Sequence, residues 1–270
     1  ASGQTLEQLY PSSDMPGVRK ETVFAGYVPK QSPDALNPGK QISERPIDVG
    51  YRARRPPYWL GSLGQEKINI GLGFLRHPES HSLSLDISVD EQDRLYGIEW
   101  DSFLRKCKAV LCVESGSSVI DFSGQIERSV NMACTANTNH SFSEIRSLYL
   151  ANIDGLHVIN PISPRVFEAA AAGTVMICFP GRYSGLIEPW KHYIPLARDF
   201  SNMHEIAETL HNPRLLRKIS EAAYQDLILD PRFSYDAFSQ FCSEVITQEY
   251  LKTSQIDFQI TRYSDADFSH

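Results

Sequence analysis

Short apolar runs alternate with helical patterns between residues 47 and 200, and this alternation predicts an α/β fold on a parallel sheet. Two further observations agree. Ala109–Val113 is a run of apolar residues that opens directly into a Gly/Ser loop, as a buried strand of such a sheet does. The last third of the chain reads as helix, which suits a cap over an α/β core.

The elements follow in order. Residues 1–46 are rich in Pro, Ser and Gly and read as linker, with one strand-like piece at Thr22–Val28 and the best linker candidate at Asn37–Arg45. Ile47–Tyr51 is a strand. It runs into a loop holding Arg52, Arg54 and Arg55, closed by Pro56-Pro57. Leu60, Leu63, the Lys67 stem, Ile70 and Phe74 recur at helical spacing, so a helix spans about 58–74. Leu83–Ser88 alternates as a strand and Glu99–Lys106 is helical. After the 109–113 strand come helices near Gln125–Cys134 and Ser143–Leu150, and a strand candidate at His157–Ile159. Pro164–Ala172 is a helix, with strands at Thr174–Phe179 and Tyr193–Leu196. Helices follow over Met203–His211, Pro213–Ile228 and Tyr235–Lys252, and the last residues are polar and expected to fray.

Composition narrows the function. The chain has 270 residues, 41% hydrophobic and 22% charged, enough for a core that needs no disulfide or structural metal. A net charge of −7 is a poor footprint for a nucleic-acid binder, so charge must be read segment by segment. The five cysteines form no CxxC and the histidines no HExxH, which excludes the common zinc patterns and fits reduced thiols in a cytoplasmic protein. No apolar run approaches the ~18 residues of a membrane span. Ala1-Ser2-Gly3 lacks an initiator methionine, as a processed chain or a piece of a longer one would.

In parallel α/β sheets ligands bind where strands end and helices begin. Four loops stand there. The first holds Arg52 and Arg54, whose planar guanidinium groups suit phosphate, or make an ordinary basic turn. The second begins at Glu114, with Ser115 and Gly116 offering backbone N–H groups and little bulk. It cradles a phosphate or sugar hydroxyl, or is a plain turn, and it is neither a P-loop nor a GxGxxG.

The third loop is the most informative. Ser163 stands at the N-cap and Pro164 at N1, so Arg165 falls in the first helical turn. Free N–H groups and the positive helix end face the same way, which favours a diphosphate. Arginine is unfavourable for the helix there unless an anion lies nearby. One turn on from Pro164, Glu168 shares its face, and a carboxylate accepts the pair of hydrogen bonds that a ribose diol offers. The alternative is a surface Arg–Glu pair on a core helix. The fourth loop, Tyr183-Ser184-Gly185, lets backbone approach a ligand or is a mobile surface turn. His192 and Trp190 read as packing residues.

Taken together, "SPRVFEAAAAGT", "FPGRYSGLIEPWKHYIPL" and "DFSN" resemble the donor-binding, C-terminal half of GT-B glycosyltransferases. More narrowly, the chain resembles bacterial glycosyltransferase-like proteins found with surface-polysaccharide genes, whose pattern is also matched by "RPIDVGYRARRPPYWLGSLGQEK", "ISVDEQDRLYGIEWDSFL" and "CVESGSSVIDFSG". The resemblance runs from about Tyr10 to Phe238. It implies a Rossmann-like domain over 47–200 that binds a nucleotide-diphosphate sugar, preceded by a linker or remnant over 1–46 and followed by helices over 201–270 that pack on it. It implies that Glu168 holds the ribose and that Arg165 and the helix start at Ser163 face the diphosphate, with Arg52 and Arg54 assisting. The Glu114 loop would lie near the donor sugar or base.

The same resemblance implies no bound cofactor or metal, in keeping with the lack of a DxD motif in these loops. The partners would be a nucleotide-sugar donor, a glycan acceptor and an N-terminal Rossmann domain or partner chain, at the cytoplasmic side and peripheral to the inner face of the membrane. The pattern departs from the family in two places. Only residues 1–46 precede the first matched strand, where a full enzyme has a second Rossmann domain. Position 160, where retaining enzymes carry a Glu ahead of the ribose Glu, is Asn. Neither a catalytic residue nor the stereochemical course is therefore assigned. The leading expectation is a glycosyltransferase or its donor-binding domain. A non-catalytic nucleotide-sugar binding module and a GT-B-like sugar-nucleotide epimerase are the alternatives.

Overall fold

The computed structural model of the chain describes residues 3–29 and 42–266. Among these, five strands form one sheet: β1 (Ile47–Arg52), β2 (Leu85–Ser88), β3 (Cys107–Cys112), β4 (Val175–Cys178) and β5 (Tyr193–Pro195). All neighbours pair in parallel, in the order β2-β1-β3-β4-β5. The helices are α1 (Gly3–Leu9), α2 (Gly61–Arg76), α3 (Gly97–Lys106), α4 (Gln125–Ala136), α5 (Phe142–Ile145), α6 (Pro164–Ala171), α7 (Met203–Leu210), α8 (Pro213–Ala223) and α9 (Tyr235–Ala266). This is the α/β, parallel-sheet architecture that the alternation predicts, with helices on both faces.

Strand residues alternate between two cores, as a pleated strand requires. Val49, Tyr51, Ala109, Leu111, Val175, Ile177 and Ile194 face α2, α7 and α8. Val110, Cys112, Met176, Cys178 and Tyr193 face α3 and α6. From β1 the chain goes outward to β2 through α2, then back across β1 to β3 through α3. Because α2 and α3 lie on opposite faces, a crevice opens at the carboxyl ends of β1 and β3, where the strand order reverses. Tyr51 helps to shape it. Its ring lies on α2 opposite Gly71, where a Cβ would stand only 2.9 Å from Cδ1. Its hydroxyl donates to the Lys67 carbonyl at 2.9 Å, and burial pushes its pKa up to about 12.

The connection from β3 to α6 carries a small lobe of α4 and α5 around Val119, Val130, Ile145 and Leu150. Asp154 locks this lobe to the start of α2. Its carboxylate accepts from the Ser62 N–H at 3.1 Å, the Ser62 and Ser118 hydroxyls at 2.6 Å each, and Arg146 Nε at 2.7 Å. The Ser118 hydroxyl in turn accepts from the Leu63 N–H at 3.1 Å. The first-turn donors of α2 are thus used internally. Half-buried Arg45 acts similarly at the other end of the sheet, where it donates to the Cys107 and Ala172 carbonyls at 2.9 Å.

Several expectations need correction. Thr22–Val28 is not a strand. It is an extended strap with one bridge, Val28 to Ser234, and it lies over helices rather than at a sheet edge: Phe24 packs edge-on to Phe233 and Tyr27 on Phe238. Its β-forming residues find no free strand to pair with. His157–Ile159 is likewise outside the sheet, because Ile159 exchanges backbone bonds with Ser117 in an isolated antiparallel bridge. The final helix runs to Ala266, past the expected end at Lys252. Residues 37–41 of the linker candidate and the terminal residues 267–270 lie outside the described residues. Among the described residues no helix is long and apolar enough to cross a membrane.

The Asp154 contacts set a stability test. Burial raises its pKa, but hydrogen bonds from Ser118, Ser62 and Arg146 outweigh burial and leave it below the ordinary 3.8. Its contribution is then fully present above pH 3.8 and is lost as pH falls through the lower folded value. Asp154→Ala is expected to cost about 3 kcal/mol at pH 7 in urea denaturation. The gap to the unsubstituted protein should narrow as pH falls below 3.8.

Candidate functional site

The crevice between β1 and β3 is a cleft of about 430 Å³. The end of β1 supplies Arg52, the turn after it Arg54, α2 supplies Lys67, the β2–α3 connection supplies Arg94 and Tyr96, and α3 supplies Gly97 and Trp100. The start of α6 supplies Ser163, Pro164, Arg165 and Glu168. Five basic side chains therefore line the cleft against one carboxylate.

Their roles differ. Arg52 is committed: Nη2 pairs with Asp86 at 2.7 Å, Nη1 donates to the Tyr51 and Asp86 carbonyls, and the guanidinium lies 4.4 Å from the Phe103 ring centre. Arg165 is held between two rings, 4.9 Å from Tyr51 and 5.2 Å from Trp100, and donates to the Arg52 carbonyl. Arg94 pairs with Glu91 at 2.6 Å and lies over Tyr96. Arg54 is exposed, and neither it nor Lys67 has an anionic partner among the described residues. Burial pushes the Lys67 pKa down, and Arg165 and Arg54 push it further. A lysine held among cations that disfavour its charge sits where an anion would be welcome.

The start of α6 adds to this. Ser163 occupies the N-cap position, as expected, but its hydroxyl makes no capping bond. Of the first-turn positions Pro164 has no N–H and the Val166 N–H donates to the Ser163 carbonyl at 3.0 Å, which leaves the Arg165 N–H without a capping partner at the positive helix end. Glu168 is exposed at the rim, where its Oε2 accepts from Trp100 Nε1 at 2.8 Å.

The expected residues divide in two. Arg52, Arg54, Ser163, Arg165 and Glu168 come together in the cleft. Glu114, Ser115, Gly116, Tyr183, Ser184 and Gly185 do not line it. They hold the segment that launches α6. The buried Glu114 carboxylate accepts from Asn160 Nδ2 at 3.2 and 3.1 Å and from the N–H groups of Arg182 and Tyr183 at 3.1 and 2.7 Å. The Ser115 N–H donates to the Pro161 carbonyl, and a Cβ on Gly116 would overlap the Ile159 carbonyl oxygen. The Ser184 hydroxyl accepts from the Ile162 N–H at 3.1 Å, while Tyr183 is buried with its hydroxyl on the Phe179 carbonyl. The Gly185 N–H closes the turn on the Arg182 carbonyl at 2.7 Å.

His192 is a packing residue, as expected. It is buried, Nδ1 accepts from the Glu188 N–H, and Nε2 is left to donate to Asp226 at 2.9 Å. Among the described residues no three His, Cys, Asp or Glu side chains converge as metal ligands.

Lys67, Arg94, Tyr96 and Trp100 escaped sequence reasoning. A signal existed for Lys67: it sits on the inward stripe of α2, between apolar positions, where a lysine has to aim its ammonium at something polar.

A family model described as glycosyl transferase-like matches residues 89–237, more than half of the chain. The chain belongs to the glycosyl transferase-like family. The matched span includes α3, the Glu114 loop, α6 and the 183–185 turn, and leaves out β1 and Lys67. Among solved structures the fold is similar to Anabaena Alr3699/HepE, in complex with UDP and with UDP-glucose, at a TM-score of 0.43 and 13% identity over 81% of this chain. It is also similar to the pneumococcal O-GlcNAc transferase GtfA in complex with UDP and GlcNAc, at a TM-score of 0.40 and 13% identity over 92% of this chain. The chain spans 54% of the first and 44% of the second, about half of each. No curated protein matches it in sequence.

Lys67 sets a pH test. Phosphate affinity should fall as pH rises through a value below the 10.5 of an ordinary lysine, because deprotonation removes the attraction. Titration calorimetry with inorganic pyrophosphate between pH 7 and 10 measures this. Lys67→Met should weaken binding about tenfold at pH 7 and remove the alkaline step.

Proposed function

We propose that this chain is a glycosyltransferase, or the donor-binding part of one, that moves a hexose-type sugar from a nucleotide diphosphate to a glycan hydroxyl. The observation that carries this reading is the convergence of Arg54, Lys67 and Arg165 on the uncapped start of α6, with Glu168 one turn further along. The diphosphate lies across the three cations and the Arg165 N–H at the positive end of α6. The ribose diol meets Glu168. The base extends towards the start of α3, where Tyr96 and Gly97 form the far wall.

Chemistry follows from charge. Displacement at the anomeric carbon leaves negative charge on the departing diphosphate. Cations and helix N–H groups already aimed at it bind this charge more strongly in the transition state than in the ground state. In this reading the protein's own cations do the work without a resident metal. Among the described residues Glu168 is the only carboxylate lining the cleft, and in this reading it is taken by the ribose. The same observation favours a second reading, a nucleotide-sugar binding module. In both readings, an N-terminal Rossmann domain or partner chain brings the acceptor and any general base. The wider proposal is surface-polysaccharide synthesis at the cytoplasmic side, peripheral to the membrane.

Calorimetric titration with UDP, GDP, CDP, TDP and ADP, without added metal, tests the site. Saturable binding to one of them is expected, weakened tenfold or more by Arg165→Ala and by Glu168→Ala, the latter with little change in melting temperature. Failure of all five to bind, or binding that both substitutions leave untouched, would remove the assignment.

A further inference from the structure

Trp100 joins the two halves of the cleft. Its indole N–H donates to Glu168 Oε2 at 2.8 Å, and its ring face receives the Arg165 guanidinium at 5.2 Å. Behind it the ring stacks on Phe103, with centres 5.6 Å apart and planes 24° from parallel. Phe103 is buried and also carries the Arg52 guanidinium, 4.4 Å from its ring centre. The indole is therefore backed by the core and fixed in orientation.

Glu168 is exposed and has no other partner among the described residues. An exposed glutamate samples many rotamers, and ordering it on ligand binding costs free energy. One indole N–H on one oxygen removes much of that freedom in advance. It also leaves open most of the acceptor sites of the carboxylate, which has about four.

We infer that Trp100 is a positioning residue for the ribose: it holds the Glu168 carboxylate ready for the 2′,3′-diol while the same ring fixes Arg165 for the phosphates. This rests on the nucleotide-diphosphate reading of the cleft and goes beyond it by assigning selectivity for ribonucleotides to an indole–carboxylate contact. A substitution that keeps the ring but deletes the N–H weakens the ribose contact and leaves the phosphate contact in place.

The test compares UDP and GDP, each against its 2′,3′-dideoxy analogue, by calorimetry on the whole chain carrying Trp100→Phe. Phenylalanine still stacks on Phe103 and Arg165 but cannot donate to Glu168. Affinity for the bound ribonucleotide should fall about tenfold, the size of one charge-assisted hydrogen bond. Affinity for its dideoxy analogue should change less than twofold. A purely structural role would move both equally. Glu168→Ala supplies the second arm: Trp100→Phe added to it should cost nothing further, since the two act through one contact. Equal losses for ribo and dideoxy ligands, or full additivity with Glu168→Ala, would overturn the role of Trp100 while leaving the nucleotide site standing. No binding of any of the five nucleoside diphosphates by the unsubstituted chain would overturn both. Melting curves without ligand confirm that the variants fold.

Discussion

The cleft depends on one continuous stack of cations and rings. Tyr51, Arg165, Trp100, Phe103 and Arg52 alternate through successive face contacts, and Arg165 returns to the Arg52 carbonyl to close the circuit. These five residues come from β1, α3 and α6, so the stack ties the two sides of the crevice together. It also solves a local conflict. An arginine in the first turn of a helix opposes the helix dipole, and Lys67 nearby adds repulsion. Two ring faces and a carbonyl hold Arg165 there without neutralising it, with cation–ring attraction of about 1 kcal/mol for each contact. The charge is retained and aimed, which is what an anion site needs.

Local charge and net charge point in opposite directions in this molecule. The chain carries −7 overall, yet its cleft is basic. The surplus of acid is spent elsewhere: Asp86 fixes Arg52, Asp154 closes the start of α2, and Glu114 clamps the loop before α6. Each of these carboxylates takes up donors that would otherwise compete for an anion or lie unpaired. The first turn of α6, by contrast, has no side-chain cap and keeps the Arg165 N–H open.

The strands and helices were legible because continuous apolar runs and helical patterns coincide with burial, as at Ala109–Leu111 and Ile68–Phe74. Arg165 and Glu168 were legible because a Ser-Pro helix start places an arginine where the dipole disfavours it. The two false strands failed for one reason. Thr22–Val28 and His157–Ile159 have suitable residues, but strand formation needs a free edge at the right place, and that is a property of the whole fold. Glu114 was legible as important but not as a clamp, since its partners Asn160, Arg182 and Tyr183 are distant in sequence. Trp100 gave no local sign at all; its role exists only once α3 and α6 meet on one face of the sheet.

Hydrogen exchange with and without saturating UDP or GDP tests the central claim, that the crevice at the β1–β3 crossover is the nucleotide-diphosphate site. The account predicts slowed exchange at the amides of Arg165, Val166 and Phe167 and in the turn after β1, with no change in α4. Slowed exchange elsewhere, for instance around Glu188–His192, with residues 165–167 unaffected, would contradict it.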